Sequence, residues 1–273
     1  MSDNPPPRIL SIAGSDSGGG AGIQADIKTI AMLGGYAMTA ITAITAQNSR
    51  GVQGVTPLTG DFVMEQVDSC LTDFGADAIK IGMLHDAGII EAVAEGLATL
   101  PEAKDVPIVL DPVMVATSGG RLLQEDAVET MRSELFPLAT LLTPNLPELE
   151  ILAGRKLPDT GQIVEAAVAL ADAHGCHVLA KGGHTEDARV IDILCAPEGF
   201  LMQFDDARID TPHTHGTGCT LSAAIATLIG HGQPLHHAVR LARQFTRAAI
   251  ENAPGFGDGN GPLGHQAVRK LEG

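Results

Sequence analysis

The sequence predicts an α/β domain in which a mostly parallel sheet lies between two layers of helices. Strand-like and helix-like segments alternate from Arg8 to Asn252, the pattern of right-handed strand–helix–strand crossovers. The chain of 273 residues is 44% hydrophobic, enough to bury a substantial core. Clusters of glycine, acid, amide and lysine follow several strand candidates, at the carboxyl ends where such sheets bind ligands.

Arg8–Ala13 reads as a buried strand that breaks into the loop Gly14–Gly22. A helical pattern follows and ends at Gly34-Gly35, where glycine suits a helix C-cap. Thr39–Ala46 is rich in Thr and Ile and reads as a strand. Asp61–Phe74 carries Phe62, Val63, Val67 and Leu71 at helical spacing. Then come a strand at Ala78–Gly82, a helix at Asp86–Leu100 capped by Asp86, and a strand with its exit loop at Pro107–Met114. Glu125–Leu135 reads as helix, Ala139–Thr143 as strand, Leu146–Ala153 and Thr160–His174 as helices, and Cys176–Lys181 as strand. Val190–Ala196 and Phe200–Ile209 are two more strands, and helices near 218–230 and Leu235–Asn252 close the core. One domain spanning 1–273 is expected, with 1–7 and about 254–273 flexible or peripheral, the latter for its many glycines.

Composition removes several function classes. Seventeen basic against 33 acidic residues give a formal net charge of −16, which repels nucleic acid and anionic lipid. Aromatics are 3%, so base-stacking platforms are scarce as well. Cys70, Cys176, Cys195 and Cys219 form no Cys-x-x-Cys pair, which argues against a zinc site or a disulfide framework. Met1–Pro7 lacks the basic and apolar regions of a signal peptide. No apolar run reaches the roughly 18 residues of a membrane span. A cytoplasmic location is expected.

The chemistry concentrates at strand ends and at one helix start. Thr214–Thr220 (THGTGCT) precedes a helix, and Gly216-Thr217-Gly218 lets backbone approach a ligand closely. The free N–H groups and positive dipole end of that helix suit an anion such as a transferring phosphoryl group. A plain glycine turn gives the same pattern. For Cys219, in the first turn, the same dipole favours a lowered thiol pKa, and the alternative is an inert buried cysteine. Asn145 and Glu148 at i and i+3 suit Mg²⁺ held largely through water, and equally suit a helix cap. Lys181 after its strand offsets phosphate charge, or is simply solvated.

IAGSDSGGGAGIQADIKT, ITAQNSRGVQ, KIGM, DPVM, TPNLPE, KGGH and HTHGTGCTLSAA stand in this order between about Arg8 and Glu251. On these motifs the chain resembles the hydroxymethylpyrimidine/phosphomethylpyrimidine kinases of the ribokinase-like superfamily. The resemblance implies a three-layer α/β/α fold with a mostly parallel central sheet. It implies two ATP-dependent transfers, onto a pyrimidine alcohol and then onto its monophosphate, in thiamine synthesis. It places Gly14, Asp26, Gln47, Met83 and Val113 at the pyrimidine, and Gly216, Thr217 and Gly218 in an anion hole. Asn145 and Glu148 would govern Mg²⁺, while Asp111 and Lys181 would organise metal and nucleotide phosphates, with Thr217 also on the nucleotide side. Cys219 takes the place where sugar kinases of the superfamily carry an aspartate base, and a thiol near its ordinary pKa must first lose its proton to do that work. A homodimer is implied, with the stretch near Thr39–Val55 as its contact.

Four rival readings remain at this level. A pyridoxal kinase phosphorylates a similar hydroxymethyl heteroaromatic. A dinucleotide-binding oxidoreductase matches Gly20-Ala21-Gly22-Ile23-Gln24-Ala25, but no acid follows between Ile27 and Gly60 to take the ribose. A Cys–His hydrolase would use Cys219 with His213 or His215. The fourth is a ligand sensor without catalysis.

Overall fold

The computed structural model describes residues 5–114, 125–183 and 187–268. His184, at the end of the Lys181–His184 run, lies outside them. The strands are β1 (Arg8–Asp16), β2 (Tyr36–Asn48), β3 (Gly51–Pro57), β4 (Ala78–Ile81), β5 (Ile108–Leu110), β6 (Leu141–Leu142), β7 (His177–Ala180), β8 (Arg189–Ala196) and β9 (Gly199–Ala207). The helices are α1 (Gly22–Met32), α2 (Gly60–Asp73), α3 (Ala87–Thr99), α4 (Glu125–Thr130), α5 (Leu146–Ala153), α6 (Thr160–His174), α7 (Thr217–Gly230) and α8 (Leu235–Glu251).

The strands form one sheet in the order β3-β2-β1-β4-β5-β6-β7-β8-β9. From β2 to β7 neighbours run parallel, while β3 at one edge and β8 and β9 at the other run antiparallel. Successive strand residues serve opposite layers because side chains alternate across a sheet. Leu10, Ile79, Leu142 and Val178 pack with α2, α3, α5 and α6. Ile9, Ala78, Leu141 and Leu179 pack with α7 and α8. Both faces are covered, which is why these strands read as continuous apolar runs.

Three elements differ from the sequence reading. β2 extends to Asn48 and turns into β3, a strand that the sequence reading had not separated from its neighbour. The pattern read as one helix over Glu125–Leu135 continues from α4 into a wider π turn at Met131–Leu135. The glycine-rich C-terminal stretch, expected to fray, is bound into the domain. The N–H of His215 donates to Gly261 at 3.2 Å, and buried His265 lies 2.8 Å from Thr220 Oγ1. Arg50 and Asp258 pair across the same stretch. Its glycines permit close packing against His213 and Ser49, which local composition alone does not reveal.

Candidate active site

The carboxyl ends of the parallel strands open into a cavity of about 610 Å³. All of the candidate residues except Asp26 line it. Strand order divides the cavity lengthwise. Gly14, Gln47 and Met83 come from β1, β2 and the exit of β4 at one end. Asp192 and Arg208, from β8 and the exit of β9, stand at the other. Asp111, Lys181 and the start of α7 occupy the middle.

The first end is built on the loop after β1. Asp16 folds back to accept from the N–H groups of Gly18, Gly20 and Ala21 at 2.8, 2.9 and 2.8 Å. It also meets His215 Nε2 at 2.8 Å, tying this loop to the one before α7. Burial alone would raise the Asp16 carboxyl, but His215 and the backbone donors hold it below its ordinary value. Gln47 Nε2 lies 3.3 Å from His215 Nε2. The Met83 carbonyl accepts from Gly14 N–H at 3.2 Å and from Thr42 Oγ1 at 2.7 Å. The result is a small chamber with an amide, a thioether and the Val113 side chain on its walls, suited to a flat polar ring.

Asp26 is a correction. Its side chain is fully buried under the cavity, where Oδ2 meets Lys80 Nζ at 2.8 Å and Ser11 Oγ at 2.6 Å. It points from α1 into the packed layer rather than into the chamber, so it is not placed to contact a ring amine.

In the middle, Asp111 Oδ1 accepts from Lys181 Nζ at 2.7 Å and from Thr143 Oγ1 at 2.9 Å. Asn145 and Glu148 form a capping box at α5: Asn145 Oδ1 accepts from Glu148 N–H at 2.9 Å and Glu148 Oε2 from Asn145 N–H at 2.8 Å. Asn145 and Glu148 thus each give one oxygen to the helix start while both line the cavity. Burial pushes the Glu148 carboxyl well above the usual carboxylate range, opposed by Lys181 and reinforced by Asp111. Two buried acids sharing one lysine leave negative charge that a cation would relieve. That arrangement fits Mg²⁺, which takes one or two carboxylates and otherwise water and phosphate oxygens.

Gly216 caps α7 with φ of 86°, a left-handed conformation in which a β-carbon would collide with the Gly20 carbonyl. The two loops therefore touch backbone to backbone, and Gly216–Cys219 line the cavity, with the Thr217 N–H already donating to the Thr214 carbonyl at 3.3 Å. Thr217 holds the turn by donating from Oγ1 to the Thr214 carbonyl at 2.7 Å. At Gly218 a β-carbon would lie 3.1 Å from Asp111 Oδ2 and 3.4 Å from Lys181 Nζ. Cys219 follows, with the Gly22 N–H of α1 directed at its sulfur. The expected lowering of its thiol pKa does not occur: burial pushes it up to about 11, with Lys80 opposing. Desolvation of the thiolate outweighs the helix end.

Sequence reasoning missed Lys80, the Asp16–His215 tie and the far end of the cavity. Arg243, Thr246, Arg247 and Ile250 line that end from α8 at i, i+3, i+4 and i+7. That spacing is a readable helix face, but nothing local marks it as a ligand wall. Arg243 is held by Asp192 and Asp206, each at 2.7 Å. The hydrolase pairing is not formed: His215 Nε2 faces Asp16 and Gln47, and His213 packs beside Gly261.

A family profile described as phosphomethylpyrimidine kinase matches residues 16–264. The chain belongs to that family. A hydroxymethylpyrimidine/phosphomethylpyrimidine kinase of Bacillus subtilis is 44% identical over 264 residues, covering 96% of each chain. Among solved structures, a phosphomethylpyrimidine kinase from Clostridium difficile has a TM-score of 0.77 at 37% identity, covering 89% of this chain and 99% of its own. A pyridoxal kinase from Staphylococcus aureus, solved with AMP-PCP and pyridoxal, has a TM-score of 0.87 at 34% identity, covering 98% of this chain and 97% of its own. The fold is thus the ribokinase-like α/β/α arrangement, and the chain is a phosphotransferase.

Proposed function

We propose that this enzyme moves the γ-phosphoryl group of ATP onto 4-amino-5-hydroxymethyl-2-methylpyrimidine, and then phosphorylates the monophosphate to the diphosphate for thiamine synthesis. The observation that carries the reading is a single cavity lined from the β1–β2 side by Gln47 and Met83, from the β8–β9 side by Arg208 and Arg243, and between them by Gly216–Cys219 and Lys181. Gln47, which offers both donor and acceptor, would read the ring edge, with Met83 and Val113 on its faces. ATP would lie toward Arg208, Arg243 and Arg247, its γ-phosphate at the start of α7. The alcohol oxygen attacks the γ-phosphorus, the bond to the β–γ bridging oxygen breaks, and ADP leaves.

Such transfers depend on positioning and charge neutralisation. The α7 N–H groups and Lys181 would stabilise the moving phosphoryl group. Mg²⁺, held near Asp111 and Glu148 chiefly through water and phosphate oxygens, would neutralise nucleotide charge. Cys219 orients the alcohol and, as thiolate, takes its proton. Four free cysteines suit the reducing cytoplasm, and no helix among the described residues is long and apolar enough to cross a membrane.

Incubating the purified chain with the pyrimidine alcohol and Mg-ATP should give the mono- and then the diphosphate by mass. Absence of both products would overturn the assignment. The pyridoxal kinase neighbours motivate a second reading, and kcat/KM for pyridoxal above that for the pyrimidine would favour it.

A second copy of the chain is the expected partner. β3 is a largely exposed edge strand, and Ile44 and Val55 are 45% and 36% exposed on this hairpin. Light scattering should return twice the 28.2 kDa chain mass. A monomer at micromolar concentration would remove this part of the reading.

A further inference from the structure

Lys80 is fully buried and lies in β4 among apolar neighbours. Ile79 and Ile81 point to one helical layer, so Lys80 points to the other, toward α1 and α7. Its Nζ meets Asp26 Oδ2 at 2.8 Å, and Ser11 Oγ holds the same oxygen at 2.6 Å. Asp26 Oδ1 is buried with no hydrogen-bond partner. A buried ion pair with incomplete hydrogen bonding is a poor source of stability, since desolvation consumes much of the attraction. Burial alone would lower the Lys80 ammonium's pKa, but Asp26, with Asp111 beyond it, raises it; burial in turn pushes the Asp26 carboxyl above its ordinary value, with Lys80 and Ser11 opposing.

This cation reaches the catalytic cavity, which Lys80 and Cys219 both line. The space for it is specific: a β-carbon at Gly82 would sit 2.6 Å from Nζ. The same helix, α1, supplies the Gly22 N–H aimed at the sulfur and, one turn on, the Asp26 that anchors the lysine. We propose that Lys80 is a positioning residue, fixed by Asp26 and Ser11, whose charge on the wall of the cavity that Cys219 also lines favours the sulfur as acceptor of the alcohol's proton. Four ionisable groups act on that sulfur: Lys80 and Lys181 favour its charge, while Asp26 and Asp111 oppose it. Lys80 is the strongest favourable influence on the sulfur.

The role rests on the kinase reading, but its test does not require turnover. The test is iodoacetamide alkylation of Cys219 against pH, followed by peptide mass, with Cys70 in the same digest as reference. Lys80→Met alone would strand the buried Asp26 charge, so the informative variant is Lys80→Gln with Asp26→Asn, which keeps a hydrogen-bonded pair. The midpoint for Cys219 should lie about one pH unit higher in the double variant than in Asp26→Asn alone, which removes the opposing carboxylate from both sides of the comparison, so its rate near pH 8.5 falls about tenfold between them, while Cys70 does not change. Equal Cys219 midpoints in these two folded variants overturn the proposal. Should buried Cys176 and Cys195 react as fast as Cys70, showing loss of fold, Lys80→Arg decides. A wild-type midpoint there supports the charge, and a displaced one overturns it. Failure of the wild-type chain to phosphorylate the pyrimidine would refute the kinase reading and leave this titration to be judged by itself.

Discussion

Replacing Cys219 with alanine is expected to lower kcat by about 10²–10⁴-fold, the usual range for a positioned proton acceptor, while the Kd for the pyrimidine alcohol hardly changes. The split follows from the layout of the cavity. Gln47, Met83 and Val113, which the proposed function puts at the ring, line the same cavity and are not altered when the sulfur is removed. The phosphoryl-binding backbone at the start of α7 also stays, because Gly216 sets that turn and Thr217 braces it. Only the hydrogen bond to the attacking oxygen and the destination of its proton are lost. Equilibrium binding of the alcohol, with initial rates at saturating ATP, separates the two effects. Wild-type turnover in the variant would remove Cys219 from the chemistry. A rise in Kd matching the fall in kcat/KM would make it a binding residue instead.

Lys181→Met is expected to lower kcat/KM for ATP by about 10²–10³-fold, the loss typical of one preorganised transition-state donor. A second consequence concerns stability. Lys181 is paired with Asp111 at 2.7 Å, with Asp111 buried and Lys181 largely so, 3% and 12% exposed. Without the lysine, Asp111 and Glu148 face each other across a desolvated space, so the variant should melt at a lower temperature. Mg²⁺ should then raise its Tm more than it raises that of the wild type, because the ion replaces the missing charge. Equal Mg²⁺ responses in the two proteins would argue against the two carboxylates as the cation site. Unchanged ATP kinetics would remove the lysine from the phosphate path.

Much of this site was legible before folding because its pieces are local. A glycine pair ahead of an apolar helix exposes helix N–H groups wherever the helix packs, so Gly216–Gly218 could be read directly. Asn145 and Glu148 carried two meanings, cap and metal site, since an acid three residues beyond an asparagine serves both. The observed capping box engages both side chains, and both residues also line the cavity. Cys219 lines the cavity, and the two readings of its thiol differ in kind: the dipole that favours acidity is a local property, whereas the burial that outweighs it is not.

Alternating periodicity and turn chemistry, which are properties of neighbours in the chain, determined the layered α/β architecture, most strand positions and the loops that reach the cavity. Tertiary structure decided the rest. Lys80 in an apolar strand carries no local mark, and its meaning comes from Asp26, 54 residues away. Asp16 and His215 are 199 residues apart, and the glycine-rich C-terminal stretch has a place only once α7 and the β2–β3 turn stand beside it. Electrostatic and desolvation energies depend on distance through space and exclusion of water, and the chain acquires both only when its layers close.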